Sequence, residues 1–225
     1  MLKIAHRGAK GYKPENTLAA FTTALEMKAD GIELDIQLST DEVLVVFHDE
    51  TLDRLTNGTG LVSSFSLQEL KTYRIANEHP IPTLKEVLEL VNQKCLLNIE
   101  IKNSAATALL ISLIEEFVTT KNWKYDSFII SSFDWNALQQ IHNSNPKIPI
   151  GILTETNLDL AISFANNISA KAIHPHFTLL NPANTKKIQD HNLLVFPWTV
   201  NEQEDLDRLK TYNVNGIITD FTDRI

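Results

Sequence analysis

The sequence has little cysteine, no long apolar run and no excess of positive charge. Cys95 is the only cysteine among 225 residues, so no disulfide can form within the chain, and a reducing, cytoplasmic location is expected. No apolar run is long enough to cross a bilayer, which predicts no stable membrane insertion. A formal net charge of −8 leaves no general basic surface, so no nucleic-acid partner is expected. No Gly-x-Gly-x-x-Gly motif follows an apolar run, which argues against the usual dinucleotide-binding fold.

The sequence does contain a regular alternation of short apolar runs with longer amphipathic runs. The short runs predict eight strands, at residues 3–6, 31–35, 96–101, 127–131, 148–153, 170–174, 193–198 and 216–219. Helices are predicted between them, at residues 17–28, 84–92, 105–121, 135–144, 157–166, 182–191 and 202–211. Eight strands that alternate with helices predict an α/β fold of the TIM-type (β/α)8 barrel class, formed by residues 1–225 as a single barrel domain.

Polar residues at the predicted helix starts support this alternation. Thr83 and Glu86 have the spacing of a capping box, and Asn201 with Glu204 has a related spacing. Asn16 is predicted as the N-cap of the first helix, although its position also allows a contact with a polar ligand.

One part of the chain does not fit the alternation. Residues 43–47 form an apolar run, predicted as an extra strand that returns antiparallel to the second barrel strand and forms a hairpin with it. Residues 49–81 then form a small insertion after that hairpin, with a short helix after the capping-box pair Ser66 and Glu69. This insertion is too short for an independent domain and is predicted to be a rim or lid.

Two carboxylates lie in the second predicted strand. Glu33 and Asp35 share one face, because successive side chains of a strand point to opposite faces. A two-residue loop at residues 41–42 would place His48 directly opposite Asp35, and any loop of even length keeps His48 on the acidic face. Clustered carboxylates repel each other, so a hard divalent cation such as Mg²⁺ or Ca²⁺ is the economical interpretation. An exposed hairpin face with ordinary acids would give the same pattern, so other residues must decide.

Further ionisable residues follow the other strands at the end where TIM-type barrels carry their chemistry. His6 and Arg7 follow the first predicted strand, and Glu100 and Lys102 share one face at the end of the third. A third acid and two cations are therefore expected near the acidic pair. Trp198 ends the seventh strand, where it is either part of the barrel core or a surface on which a ligand stacks.

Two other polar residues at strand ends carry weaker expectations. His174, which stands before Pro175, is expected to be structural or solvated rather than catalytic. Asp220 follows the last strand, where it is expected to cap a helix, to fix a loop or to contact a substrate.

The order of these motifs resembles the glycerophosphodiester phosphodiesterase family. The matching segments are His6-Arg7-Gly8, Pro14-Glu15-Asn16-Thr17, Glu33-Leu34-Asp35, His48-Asp49, Leu52-Asp53-Arg54-Leu55-Thr56-Asn57-Gly58-Thr59-Gly60, Ile81-Pro82-Thr83-Leu84, Ile99-Glu100-Ile101-Lys102, Ser131-Ser132-Phe133, Trp198-Thr199-Val200-Asn201 and Gly216-Ile217-Ile218-Thr219-Asp220. One departure is Phe221, which stands where the family often has a proline.

The resemblance implies a chemistry and a role for each candidate residue. It implies a phosphodiesterase that hydrolyses glycerophosphodiesters, such as glycerophosphocholine or glycerophosphoethanolamine, to sn-glycerol 3-phosphate and an alcohol. The implied ligands of one divalent cation, Mg²⁺ or Ca²⁺, are Glu33, Asp35 and Glu100. The implied catalytic pair is His6 and His48. Arg7, Lys102 and Trp198 are then expected to bind the substrate.

Two alternatives keep the same barrel. A lysophospholipase D-like enzyme would act on acylated glycerophosphodiesters and would need an apolar rim, to which Phe65, Tyr73 and Phe177 could contribute. A catalytically silent barrel would only bind phosphorylated ligands, and such a protein is expected to have lost a metal ligand or a histidine, whereas this chain keeps all five.

Overall fold

Eight of the eleven strands in the computed structural model, which describes residues 1–225, are arranged as a parallel ring. The strands are β1 (Leu2–Ala5), β2 (Gly31–Leu38), β3 (Leu44–Val46), β4 (Arg74–Ile75), β5 (His79–Pro80), β6 (Leu96–Ile101), β7 (Phe128–Ser132), β8 (Ile150–Thr154), β9 (Ala172–Pro175), β10 (Leu194–Val195) and β11 (Gly216–Thr219). The α-helices are α1 (Leu18–Glu26), α2 (Leu67–Leu70), α3 (Leu84–Val91), α4 (Thr107–Thr120), α5 (Trp135–Ser144), α6 (Leu158–Asn167), α7 (Pro182–Asp190) and α8 (Gln203–Thr211). None of these helices combines the length and the apolar character that a bilayer span requires.

The ring strands follow the order β10, β9, β8, β7, β6, β2, β1 and β11. Backbone hydrogen bonds join the two ends of this order: the Ile218 N–H donates to the carbonyl of Pro197 (2.9 Å), and the Val200 N–H donates to the carbonyl of Ile218 (3.0 Å). The predicted TIM-type barrel is therefore confirmed. Strand β3 pairs antiparallel with β2 outside the ring, as the predicted hairpin requires.

The predicted and observed elements differ mainly at two strands. The strand predicted at residues 193–198 ends at Val195, two residues before Pro197, which has no N–H to donate to a ladder. The strand predicted at residues 31–35 continues to Leu38, because the second half of β2 pairs with β3. The other barrel strands and helices begin and end within about two residues of their predicted positions.

The predicted helix caps are only partly correct. At the start of α3, the Thr83 hydroxyl accepts from the Glu86 N–H (3.2 Å), and the Glu86 carboxylate accepts from the Thr83 N–H (2.7 Å). The predicted box before α2 also forms. The cap predicted at Asn201 is wrong, because α8 begins after Glu202 and the Asn201 side chain binds Asp220 instead.

The cap predicted for the first helix is also displaced by one residue. Thr17 is the N-cap of α1, and its hydroxyl accepts from the Ala20 N–H at 3.1 Å. Asn16 is fully buried, and its side-chain amide donates to the Asp35 carboxylate at 2.8 Å. Asn16 is therefore bound to the acidic residues rather than to the helix.

The hairpin between β2 and β3 has a different register from the predicted one. Ile36 pairs with Val46 and Leu38 with Leu44, so the intervening loop has an odd number of residues. Glu42 in this loop has a left-handed backbone (φ 61°), which is typical of three-residue hairpin turns closed by a bulge. The prediction that His48 lies directly opposite Asp35 is wrong: Phe47 donates its N–H to the Asp35 carbonyl, and His48 follows the end of the ladder.

Apolar side chains fill the amino-terminal end of the barrel interior. Ile4, Ile129, Phe196 and Ile218 are buried together inside the ring, and a larger apolar cluster lies between the ring and the helices. A separate buried cluster lies under residues 49–81 and comprises Val45, Phe47, Leu52, Val62, Leu70, Ile75 and Ile81. Polar side chains are thus confined to the carboxyl end of the barrel interior.

Candidate active site

A pocket of about 110 Å³ lies at the carboxyl ends of the ring strands. It is lined by His6, Arg7, Glu33, His48, Asn98, Glu100, Lys102, Phe133, Leu153, Trp198, Thr199 and Ile218. Seven of the eight residues predicted as site residues line this pocket. The eighth, Asp35, is 1% exposed and lies in an acidic cluster with Glu33 and Glu100. The structure therefore brings all eight predicted residues together.

Three carboxylates form an acidic cluster at one wall of the pocket. Each of Glu33, Asp35 and Glu100 offers an oxygen, and these oxygens lie within 4.8 Å of one another. The strands dictate this arrangement, because Glu33 and Asp35 share a face of β2, and Asp35 pairs with Glu100 of the adjacent β6. Three clustered carboxylate oxygens are the donors that a hard divalent cation prefers, so these residues fit a cation such as Mg²⁺ or Ca²⁺.

Burial and mutual repulsion change the protonation of the acidic cluster. Burial, with the charge of Asp35 next in importance, raises the pKa of Glu33 well above its usual range and that of Glu100 to about 7. Burial also acts to raise the pKa of Asp35, but the charges of Lys102 and Arg7 outweigh it and hold this pKa at about 2. The cluster therefore has more carboxylates than nearby cations can keep ionised, which favours the binding of a further cation.

Two cationic side chains border the acidic cluster. Lys102 Nζ lies 2.8 Å from Asp35 Oδ1 and also contacts Glu100. Arg7 stands in a tight turn with a left-handed backbone (φ 53°), and its N–H donates to Glu33 Oε2 at 2.8 Å. The Arg7 Nε lies 3.3 Å from Asp35 Oδ2. Each cation can therefore face an anionic ligand while it remains paired with the cluster.

Each candidate catalytic histidine is oriented by a carboxylate. His6 Nδ1 lies 2.7 Å from Asp220 Oδ1, and the Asn201 amide donates to Asp220 Oδ2 at 2.9 Å. His48 Nδ1 lies 2.6 Å from Asp49 Oδ1. A carboxylate at Nδ1 favours a proton on that nitrogen, which leaves Nε2 of each ring available for proton transfer.

Burial lowers the pKa of both histidines. For His6, burial outweighs the opposing effect of the hydrogen bond to Asp220, which raises the pKa. For His48, burial outweighs the opposing effect of the Asp35 charge. A lowered pKa favours the neutral form of each ring, in which Nε2 is able to accept a proton.

Trp198 is anchored to the barrel and lines the pocket. Its indole N–H donates to the carbonyl of His174 at 2.8 Å, which fixes the ring to the barrel. The ring meets Phe133 edge to face with 5.5 Å between centroids, and both side chains line the pocket. Phe133 is 47% exposed, so this aromatic wall is open to solvent at its edge.

Several residues that hold the site together were not predicted as site residues. The sequence indicated no site role for Asn201 or for Asp49, although Asp49 directly follows His48, and it indicated no histidine partner for Asp220. The pairing of Asp220 with His6 could have been inferred from the fold. The eighth strand of a closed barrel lies beside the first, so the residues that follow these two strands are neighbours. Two further ion-pairing residues, Glu15 and Arg54, lie in loops, where no strand or helix periodicity indicates which way a side chain points.

Comparisons with known proteins agree with this architecture. A sequence model described as the glycerophosphoryl diester phosphodiesterase family matches residues 6–224. A glycerophosphodiester phosphodiesterase from Caldanaerobacter subterraneus is 41% identical over 97% of this chain and 93% of its own length. A glycerophosphodiester phosphodiesterase from Bacillus altitudinis is 39% identical over 100% of this chain and 96% of its own length.

A solved structure with the same fold carries a bound product. The structure of an Oleispira antarctica phosphodiesterase in complex with the product sn-glycerol 3-phosphate superposes with a TM-score of 0.91 at 27% identity, over 100% of this chain and 95% of that one. Because the family match spans nearly the whole chain and the Caldanaerobacter relative exceeds 30% identity, the chain belongs to the glycerophosphoryl diester phosphodiesterase family.

Proposed function

We propose that the protein hydrolyses glycerophosphodiesters, such as glycerophosphocholine or glycerophosphoethanolamine, to sn-glycerol 3-phosphate and an alcohol. The observation that carries this proposal is the convergence of two carboxylate-bound histidines and an acidic cluster on one pocket. Attack on a phosphodiester builds negative charge on the phosphoryl oxygens and needs one proton acceptor and one proton donor. The pocket contains residues suited to each of these tasks.

In this proposal Arg7 and Lys102 bind the phosphate. Arg7 presents a planar guanidinium suited to paired contacts with phosphate oxygens, and Lys102 acts as a point charge. Both face the pocket, and both are held by Asp35, at 3.3 Å and 2.8 Å respectively. Trp198 packs against the carbon atoms of the substrate with its exposed face.

Glu33, Asp35 and Glu100 are proposed to hold one divalent cation, Mg²⁺ or Ca²⁺. Their oxygens have the hardness and the spacing that these ions require. When bound, such an ion supplies positive charge close to the phosphoryl oxygens.

His6 and His48 are proposed to divide the proton transfers. One Nε2 accepts a proton from the nucleophile. The other ring, protonated on both nitrogens and stabilised in that form by its carboxylate partner, donates its Nε2 proton to the leaving alkoxide. The nucleophile is either a water molecule or the glycerol 2-hydroxyl of the substrate, whose attack gives a cyclic phosphate that water then opens to sn-glycerol 3-phosphate. A glycerophosphodiester analogue without that hydroxyl separates the two routes, because its full turnover excludes internal attack.

The test is release of sn-glycerol 3-phosphate from a panel of glycerophosphodiesters after chelation, with Mg²⁺ or Ca²⁺ added back. We expect His6→Ala and His48→Ala to lower kcat by about 10²–10⁴-fold, the usual contribution of general acid–base catalysis. His191→Ala is the matched control, because His191 is exposed at the end of α7. Near-normal turnover by both variants would sink the catalytic assignment.

The lysophospholipase D-like alternative needs an exposed apolar rim, and two of the residues expected to form that rim pack against the protein instead. Phe65 and Tyr73, two of the residues that could have formed an apolar rim, pack against each other at 5.4 Å around the cluster under residues 49–81. Lysophosphatidylcholine in the same substrate panel tests this alternative directly.

A further inference from the structure

A buried carboxylate connects the barrel to the inserted residues 49–81. Glu15, in the loop between β1 and α1, is 6% exposed. Its Oε1 accepts from Arg7 Nη1 at 2.6 Å and from Arg54 Nη2 at 2.9 Å. Arg7 belongs to the barrel and lines the pocket, whereas Arg54 belongs to the insertion. One carboxylate thus bridges two guanidinium groups from separate parts of the chain.

Arg54 also donates hydrogen bonds to Asp49, the carboxylate that orients His48. Its Nε donates to Asp49 Oδ2 at 2.6 Å, and its Nη2 donates to Asp49 Oδ1 at 2.7 Å. This paired contact has the fixed geometry of an arginine–carboxylate fork. Asp49 Oδ1 lies 2.6 Å from His48 Nδ1. A continuous chain of contacts therefore runs from His48 through Asp49, Arg54 and Glu15 to Arg7.

His48 needs this external support because the sheet does not hold it. Strand β3 ends at Val46, so His48 lies outside any ladder. Its carbonyl accepts only a 3.2 Å hydrogen bond from the Gln37 side chain. Catalysis requires the reacting nitrogen to stay within a few tenths of an ångström of its position.

We propose that Arg54 and Glu15 are positioning residues for His48, so that the insertion holds the catalytic histidine in register with Arg7 and the acidic cluster. This inference rests on the proposed function of His48. The inference also predicts that the two-point contact of the Arg54 guanidinium with Asp49 is required, and that a single positive charge at position 54 does not fully replace it. A lysine at this position can reach one carboxylate but cannot bind both with fixed geometry.

The main test compares three variants at the positions that form the chain of contacts. Arg54→Met removes the fork, and we expect kcat to fall by about 10- to 100-fold with KM changed less than about threefold, the size of effect expected when a catalytic group shifts by about 1 Å. Arg54→Lys should recover only part of the loss. Glu15→Gln combined with Arg54→Met should lose little more than Arg54→Met alone, because both changes break one chain.

Lys71→Met provides a matched control. Lys71 lies in the same insertion and pairs with Glu86 at 2.6 Å, away from the pocket. This variant also removes one insertion ion pair, and we expect its kcat to remain at the wild-type level. A kcat loss in Lys71→Met equal to that in Arg54→Met, or an unchanged kcat in Arg54→Met, would overturn the proposal.

A readout independent of turnover separates this inference from the proposed function. The ring N–H of His48 should give a protected proton signal in nitrogen-resolved NMR spectra, and Arg54→Met should broaden or remove it while the His6 signal persists. If the wild type releases no sn-glycerol 3-phosphate from any diester, the proposed function fails and the NMR comparison still tests positioning. If the wild type is active but the His48 signal is unchanged in Arg54→Met, only the positioning proposal fails.

Discussion

Acidification is expected to destabilise this protein through His174, a histidine buried inside the barrel. Its side chain is 1% exposed, and neither ring nitrogen has a hydrogen-bond partner. The ring meets Phe196 edge to face, and a Cβ added at Gly151 would lie 2.4 Å from Nε2, so there is no room for a water between them. Burial without a partner lowers the pKa of His174 to about 3.

The sign and size of the effect follow from proton binding. The unfolded chain protonates His174 with the ordinary pKa of 6.5, whereas the folded protein resists protonation down to a pH of about 3. The unfolded state therefore binds more protons between these values, and stability is lost as the pH falls from 6.5 towards 3. Between pH 7.5 and pH 5 the expected loss in the free energy of unfolding is about 2 kcal/mol.

The variant His174→Leu isolates this contribution, because leucine has a similar volume and does not titrate. Urea unfolding of both proteins at several pH values between 7.5 and 5 gives two curves of stability against pH. We expect the curves to converge or cross as the pH falls, with His174→Leu gaining about 2 kcal/mol relative to wild type. His191→Leu, at an exposed position, controls for the loss of a histidine. Parallel curves for wild type and His174→Leu would refute the reasoning.

Two further predictions concern the pocket. Glu33→Gln should weaken the binding of Mg²⁺ or Ca²⁺ by about tenfold or more in calorimetric titration. The metal-free variant should be at least as stable as wild type at pH 8, because the substitution removes a buried carboxylate whose pKa is raised well above normal. The exposed Glu89→Gln is its control, and undiminished metal affinity in Glu33→Gln would contradict the assignment. Asp220→Asn should lower kcat by about tenfold or more with little change in KM, because a neutral amide cannot stabilise a protonated His6. Asp223→Asn, at an exposed position nearby, should match wild type in the same steady-state assay, and an unimpaired kcat in Asp220→Asn would argue against a role for the His6 pair.

The barrel could be predicted because each buried strand leaves a separate apolar run in the sequence. The acidic cluster could be predicted for the same reason: alternation places Glu33 and Asp35 on one face, and parallel pairing of β2 with β6 brings Glu100 beside Asp35. Both inferences use the regular geometry of strands. They fail where the backbone is irregular, as at the odd-length hairpin loop, where Glu42 adopts a left-handed conformation.

The supporting residues could not be predicted because they lie in loops and pair across long sequence distances. His6 and Asp220 are separated by 214 positions, and Glu15 and Arg54 by 39. Only the closed ring, which places β11 beside β1, brings the first pair together. The second pair depends on where the insertion folds back, and no strand or helix periodicity specifies that position.

The position of His48 illustrates how the insertion compensates for the irregular hairpin. The odd loop places Phe47 beside Asp35, and the Phe47 side chain is buried with Leu52 in the cluster under residues 49–81. Because Phe47 is fixed in this apolar cluster, the next residue is directed away from it, and His48 lines the pocket. The carboxylate of Asp49 then binds the His48 ring while Arg54 holds that carboxylate. Strand pairing alone fixes the positions of Glu33, Asp35 and Glu100. The position of His48 is instead fixed by the apolar core of the insertion together with the ion pairs of the insertion.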